Sequence, residues 1–257
     1  MITIALGAAA VAGYLTAVRL YSLRYPSRGF AIGRTVAFCT GIIVAVSVVS
    51  PPIDGLVDGS FAAHMVQHLI LALIVPPLLL LGAPLTLAVA LPPPRTGKAI
   101  ARIVRHRILR ASMSPVSGWL VFVAALWGIH FSPLYELALR SERVHVFEHA
   151  LLVGAALLFW MPIVQVAYAA HPVPFPVRMF YLILAIPQGA FLGLAIYSAR
   201  NLLYPHYAIG RSLSAALADQ QNAGAVMWIA GGALMFTAFM LTAATWAARE
   251  HGAVATA

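Results

Sequence analysis

The sequence predicts an all-α, polytopic membrane protein of seven transmembrane helices, with its N-terminus outside and its C-terminus cytoplasmic. Three observations carry this reading. Of the 257 residues, 62% are apolar or aromatic and only 9% are charged, where a water-soluble domain carries about a quarter charged residues; mean hydropathy is +0.91. The apolar residues come in runs of roughly 17–25, the length a helix needs to cross about 30 Å of hydrocarbon, and the alternating ten-residue units of an outer-membrane barrel are absent. The basic residues gather in alternate loops, as the positive-inside rule requires.

The spans follow in order. The first covers about 2–23; no basic stretch precedes its apolar run, so it reads as a span and not as a cleaved signal. The second, about 32–50, encloses Cys39, the single cysteine, which excludes a disulfide framework and any Cys-based metal motif. The third, about 61–91, opens on two histidines and bends at Pro76-Pro77. The fourth covers about 115–131, the fifth about 144–168 with Pro162 inside, and the sixth about 177–198 with Pro187 inside. Such prolines are tolerated where packing re-satisfies the backbone. The seventh, about 220–246, leaves residues 251–257 as a short cytoplasmic tail, and residues 1–250 are expected to form a single transmembrane helical bundle.

Orientation rests on charge. With the N-terminus outside, 12 of the 16 basic residues fall on the cytoplasmic side, leaving Arg140, Arg143, Arg200 and Arg211 outside. This pattern also explains the net charge of +9 without invoking nucleic acid. The acids run the other way: Asp54, Asp58, Glu136, Glu142, Glu148 and Asp219 lie outside, and only Glu250 inside. Anionic outer loops beside a bilayer suit the attraction of a cation.

That topology sorts the nine histidines. His106, His171 and His251 are cytoplasmic, while His64, His68, His130, His145, His149 and His206 lie at or near the outer face. His64 and His68 open the third span, and His145 and His149 open the fifth. On a helix, an i, i+4 spacing stacks two imidazoles on one face, one turn apart, where they can share a metal. A lone membrane histidine is more often a packing hydrogen-bonder, but two pairs entering from the same side are expensive to keep idle in hydrocarbon. His130, ending the fourth span, is equally open to a role as a further ligand or as a donor behind the ligands. Asp219, at the start of the seventh, has three roles open to it: orienting a histidine, binding metal directly, or capping its own helix. Met65 and Met227 offer thioether sulfur, which with imidazole suits Cu(I), although core filling is the ordinary role of each taken singly. Glu148 and Asp219 are the carboxylates placed to offset a cation. Neutral imidazoles are required, so metal affinity is expected to fall as pH drops through about 6.5.

Two chemistries are excluded, and two more stay open as rivals. His64-Met65-Val66-Gln67-His68 lacks the glutamate that follows the first histidine of a zinc protease. A retinal Schiff base needs a lysine in a span, and the only lysine, Lys98, sits in a basic loop. A b-type haem would use His68 and His149 yet leave the other member of each pair without a role. Metal conduction wants a polar path to the inner face, and the inner halves of the spans are nearly free of ionisable groups.

The motifs as a set resemble the integral-membrane CtaG family of cytochrome c oxidase assembly factors. The matching pieces are His64–His68 with Pro76–Pro84, Trp127–Tyr135, His145 and Glu148-His149 with Leu158–Pro162, and Asp219-Gln220 with Ala223-Gly224 and Met227-Trp228. The resemblance implies a multi-pass protein of the cytoplasmic (inner) membrane that is not an enzyme. It would help deliver copper, Cu(I) in preference to Cu(II), to a haem–copper terminal oxidase from the periplasmic or exterior side. By this carry-over His64, His68, His145 and His149 are the copper residues, with Asp219, Met227, Met65, His130 and Glu148 as additional or supporting groups. The implied partners are an oxidase subunit carrying a copper centre, an extracytoplasmic copper chaperone and the lipid bilayer. A haem electron-transfer protein and a copper import or tolerance protein are the alternatives.

Overall fold

The structure, a computed structural model, describes residues 2–165 and 172–254. In chain order the helices are α1 (Ile2–Arg24), α2 (Ile32–Val48), α3 (Ile53–Gly59), α4 (Phe61–Leu69), α5 (Val75–Leu81), α6 (Pro84–Ala90), α7 (Pro94–Val104), α8 (Arg107–Ser112), α9 (Pro115–His130), α10 (Pro133–Ala138), α11 (Glu142–Val164), α12 (Phe175–Ser198) and α13 (Leu213–Val254). A π-helical turn, Ile70–Ile74, joins α4 to α5, and a 3-10 turn, Pro205–Ala208, lies between α12 and α13. No strand occurs among the described residues.

Among the described residues, five helices are long and apolar enough to cross a membrane: α1, the broken run Phe61–Ala90, α11, α12 and Leu213–His251 of α13. The pair α2 and α3, bent by 47°, makes a sixth if counted as one span. The expected fourth span is the 16-residue α9, which at 1.5 Å per residue reaches only about 24 Å. Their outward faces are apolar: Ile2, Val116 and Ile229 are 79%, 70% and 65% exposed, as lipid-facing positions should be. The last helix begins at Leu213, one to two turns before the expected 220, because the Ser212 hydroxyl accepts the Ala215 N–H at 3.2 Å and caps it there. Residues 166–168 of the expected fifth span, His171 and residues 255–257 of the expected tail lie outside the described residues.

The chain divides into two compact units. One comprises Met1–Leu56, Ile70–Phe122 and Leu151–His171; the other comprises Val57–Leu69, Val123–Ala150 and Pro172–Ala257. In the first, Tyr14 of α1 stacks on Phe38 of α2 with ring centroids 3.9 Å apart, and its hydroxyl donates to the Gly82 carbonyl at 2.7 Å. The expected bend at Pro76-Pro77 takes the form of the π-helical turn just before α5. Proline has no N–H, so Pro76 leaves the carbonyl of Ala72, four residues back, without its helical donor. Trp160 fills the vacancy, its Nε1–H donating to Ala72 O at 3.0 Å.

In the second unit, α12 and α13 approach through two glycines. A Cβ on Gly193 would stand 2.6 Å from the Gly224 carbonyl, and one on Gly224 would stand 2.6 Å from the Gly193 carbonyl. Small residues let helix backbones close to this distance. The contact sets the height of α13, and with it the position of Asp219 and Gln220.

Candidate metal centre

The centre lies wholly in the second unit and starts from the N-terminus of α4. The first N–H groups of any helix have no partner within it. Here Asp219 of α13 supplies the partners: its carboxylate accepts from the N–H of Phe61 at 2.8 Å, the N–H of Ala62 at 3.3 Å and the Ser60 hydroxyl at 2.9 Å. Ser60 Oγ in turn accepts the Ala63 N–H at 3.3 Å. Arg211 donates to Asp219 at 3.2 Å and to the Gly59 carbonyl at 3.0 Å. Asp219 therefore caps a helix, but not its own. It fixes the start of the helix whose next turns carry His64 and His68.

Those two imidazoles point the same way, as their spacing demands, with His64 Nε2 and His68 Nε2 3.0 Å apart. The second histidine helix meets them. Ring centroids of His149 lie 5.4 Å from His68 and 6.1 Å from His64, and those of His145 lie 5.1 Å from His64 and 4.2 Å from His149. Glu148 turns into the same space and is 0% exposed. One donor atom each from His64, His68, Glu148 and His149 all lie within 4.8 Å of one another. Glu148, not His145, is thus the fourth member of the tightest group; His145 stands half-buried beside it.

Behind these residues is a tyrosine layer that sequence reasoning missed. Tyr207 OH lies 2.9 Å from His64 Nδ1 and 3.2 Å from Tyr135 OH, while Tyr204 donates to the His130 carbonyl at 2.7 Å. All three side chains are buried, and burial pushes their hydroxyl pKa values well above the ordinary tyrosine range, so they remain hydrogen-bonding hydroxyls. Gln220 holds the loop that carries two of them, accepting the Leu203 N–H at 2.8 Å and donating to the Asn201 carbonyl at 3.1 Å. The signal available was Tyr204-Pro205-His206-Tyr207, where attention falls on His206. That histidine is half-buried and outside the donor group, whereas its two tyrosine neighbours face inward.

His130 and Met65 form a second, softer pair. His130 Nδ1 donates to the Leu126 carbonyl at 2.8 Å, which in the neutral ring leaves Nε2 as a lone pair. That lone pair lies 3.4 Å from Met65 Sδ, itself only a weak acceptor. The His130 ring is 5.9 Å from that of His68. Met227 is buried on α13, two turns beyond Asp219.

The donor set fits a metal ion. Among the described residues, both Glu148 oxygens and His149 Nε2 are buried with no hydrogen-bond partner; the nearest cation-capable atom, His68 Nε2, is 3.6 Å from Glu148 Oε1. An uncompensated buried carboxylate is costly, and a cation among the imidazoles would compensate it. Metal–nitrogen bonds of about 2.0–2.1 Å put tetrahedral ligands roughly 3.3 Å apart, a modest contraction of the spacing seen. A haem does not fit the same space, because its axial histidines must stand on opposite sides of a planar macrocycle and these donors converge on a point.

The chain is 27% identical over 219 residues to uncharacterized proteins of Mycobacterium bovis and of Mycobacterium tuberculosis, covering 80% of this chain and 33% of each relative. It is 26% identical over 262 residues to an uncharacterized protein of Mycobacterium leprae, covering 96% of this chain and 38% of that one. The chain thus spans about a third of the length of the curated relatives it matches. No solved structure matches it. The profile of the cytochrome c oxidase caa3 assembly factor family (Caa3_CtaG) matches residues 12–249, and the chain belongs to that family.

Proposed function

We propose that this protein binds a single copper ion and helps deliver it to a copper centre of a haem–copper terminal oxidase. The observation that carries the proposal is Glu148: fully buried, without a hydrogen-bond partner among the described residues, and gathered with His64, His68 and His149. Three neutral imidazoles and one carboxylate offset one positive charge, so Cu(I) leaves the buried site neutral and Cu(II) does not. Met65 Sδ adds a soft thioether donor beside His130 Nε2, which favours the same oxidation state. His145, half-buried against His64 and His149, is the imidazole through which the ion enters and leaves. No bond in a substrate is made or broken, so the role is that of a carrier and not of an enzyme.

In this reading the helices form one bundle in the cytoplasmic membrane, spanning it seven times when α2 with α3 and the short α9 are counted. The N-terminus is outside, the tail cytoplasmic and the copper site toward the exterior, where an extracytoplasmic chaperone supplies the ion and an oxidase subunit takes it. Family membership supports the oxidase as partner, and the charge asymmetry of the loops supports the orientation.

The test is metal analysis of protein purified in the presence of copper. Wild type is expected to hold about one copper per chain, and His68→Ala with His149→Ala close to none. Equal copper in the two overturns the site, and zinc in place of copper in wild type overturns the choice of metal. In the host membrane the same double variant should lower oxidase activity without lowering oxidase transcript.

A further inference from the structure

A second candidate site lies in the first unit. A cavity of about 400 Å³ opens between the end of α1 and α7, and its wall includes Tyr21, Arg24, Arg28, Gly97, Lys98 and Arg105. Four of its lining residues are cationic and none is acidic. This follows from the sequence: residues 1–53 and 59–135 contain no aspartate or glutamate, so the two stretches that build the wall have no carboxylate of their own to offer.

Backbone carbonyls and an aromatic ring hold part of the wall in place. Arg24 donates to the Leu91 carbonyl at 2.8 Å and lies 5.8 Å from the Tyr25 ring, whose hydroxyl donates to the Ala90 carbonyl at 3.3 Å. Gly97 is buried because a Cβ there would collide with the Val89 carbonyl of α6. That close approach draws the first turn of α7, with Lys98, against the cavity, and a helix N-terminus adds partial positive charge of its own. Guanidinium groups form paired hydrogen bonds with phosphate oxygens, and ammonium groups serve as point charges beside them. The volume suits a glycerophosphate-sized group. Apolar side chains border the cations: Ile103 and Ile108 are 60% and 63% exposed, the arrangement of a segment lying at a membrane surface.

We infer that this cavity binds a phosphate group, and that its source is the headgroup of an anionic phospholipid. The inference does not rest on the copper reading. Arg28 and Lys98 are exposed, so Arg28→Gln with Lys98→Gln removes charge without opening the core. Delipidated full-length protein would be titrated with phosphatidylglycerol, phosphatidylcholine and inorganic phosphate, following the melting temperature and, by native mass spectrometry, the retained lipid. Phosphatidylglycerol should bind and stabilise wild type, about tenfold or more weakly in the double variant, with phosphatidylcholine inert and copper content equal in both proteins. Equal phosphatidylglycerol binding by the two proteins, or equal response to the two lipids, overturns the site. A response to inorganic phosphate matching that to phosphatidylglycerol overturns the lipid as its source.

Discussion

Asp219 and Glu148 are each the seventh residue of their helix, α13 and α11, both lie in the second unit, and both carboxyl groups are buried. Their surroundings differ. Asp219 accepts four hydrogen bonds, three from the start of α4 and one from Arg211. Glu148 accepts none among the described residues. A buried carboxylate that is fully satisfied serves the fold, because it does work that water would otherwise do. One left bare is a carboxyl group that a cation from outside the chain would ionise and bind. Two acids a few turns apart in one small region thus divide the tasks of holding the histidine helix and completing the ion's environment.

The largest effect should come from breaking the satisfied member. Asp219→Ala leaves the N–H groups of Phe61 and Ala62 without their acceptor and Arg211 with only the Gly59 carbonyl, and should cost about 2–4 kcal/mol of stability, read as a lowered unfolding midpoint in detergent. Copper should then fall as a consequence of the loosened helix, and Asp219→Asn should lie between. Glu148→Gln should act in the opposite sense. It removes an uncompensated buried carboxylate while keeping its shape, so the metal-free protein should be as stable as wild type or more so, while copper affinity falls about 10- to 100-fold by competition with a Cu(I) chelator. A loss of metal-free stability in Glu148→Gln would mean that the carboxylate already has its partner inside the fold.

This division was only half legible in the sequence. The pairs His64/His68 and His145/His149 were readable because four-residue spacing is a local property of a helix, and polar groups stand out in apolar runs. That the two pairs meet followed from the topology. Asp219 was visible as a carboxylate at the right level, but its partners Ser60, Phe61 and Ala62 are more than 150 residues away, and no local period announces such a contact. Glu148 was read as nearby charge because its identity gives no sign of which way it turns. The tyrosine layer was hidden for a related reason: Tyr204 and Tyr207 sit in a loop, where burial follows from what packs over it. The second and fourth helices were legible as well, since Ile32–Val48 and Pro115–His130 lie within two residues of the expected 32–50 and 115–131, but hydropathy does not show that α9 is short for a span.

The smallest effect distinguishes positioning from binding. Tyr207 touches no proposed ion directly; it meets His64 Nδ1 at 2.9 Å, the ring nitrogen opposite the one that faces His68. Tyr207→Phe keeps the ring, which stacks on Phe61 with centroids 5.3 Å apart, and removes only the hydroxyl. The lost hydrogen bond should cost about 1 kcal/mol of stability. Partners behind a metal-bound histidine typically change affinity 10- to 100-fold when removed, and with the ring retained and Tyr135 still alongside, the lower end, about tenfold, is expected here. The stoichiometry should stay at that of wild type, because every donor of the ion remains. A variant that loses copper altogether would show that the hydroxyl is itself a ligand, and one with wild-type affinity would show that packing alone orients His64.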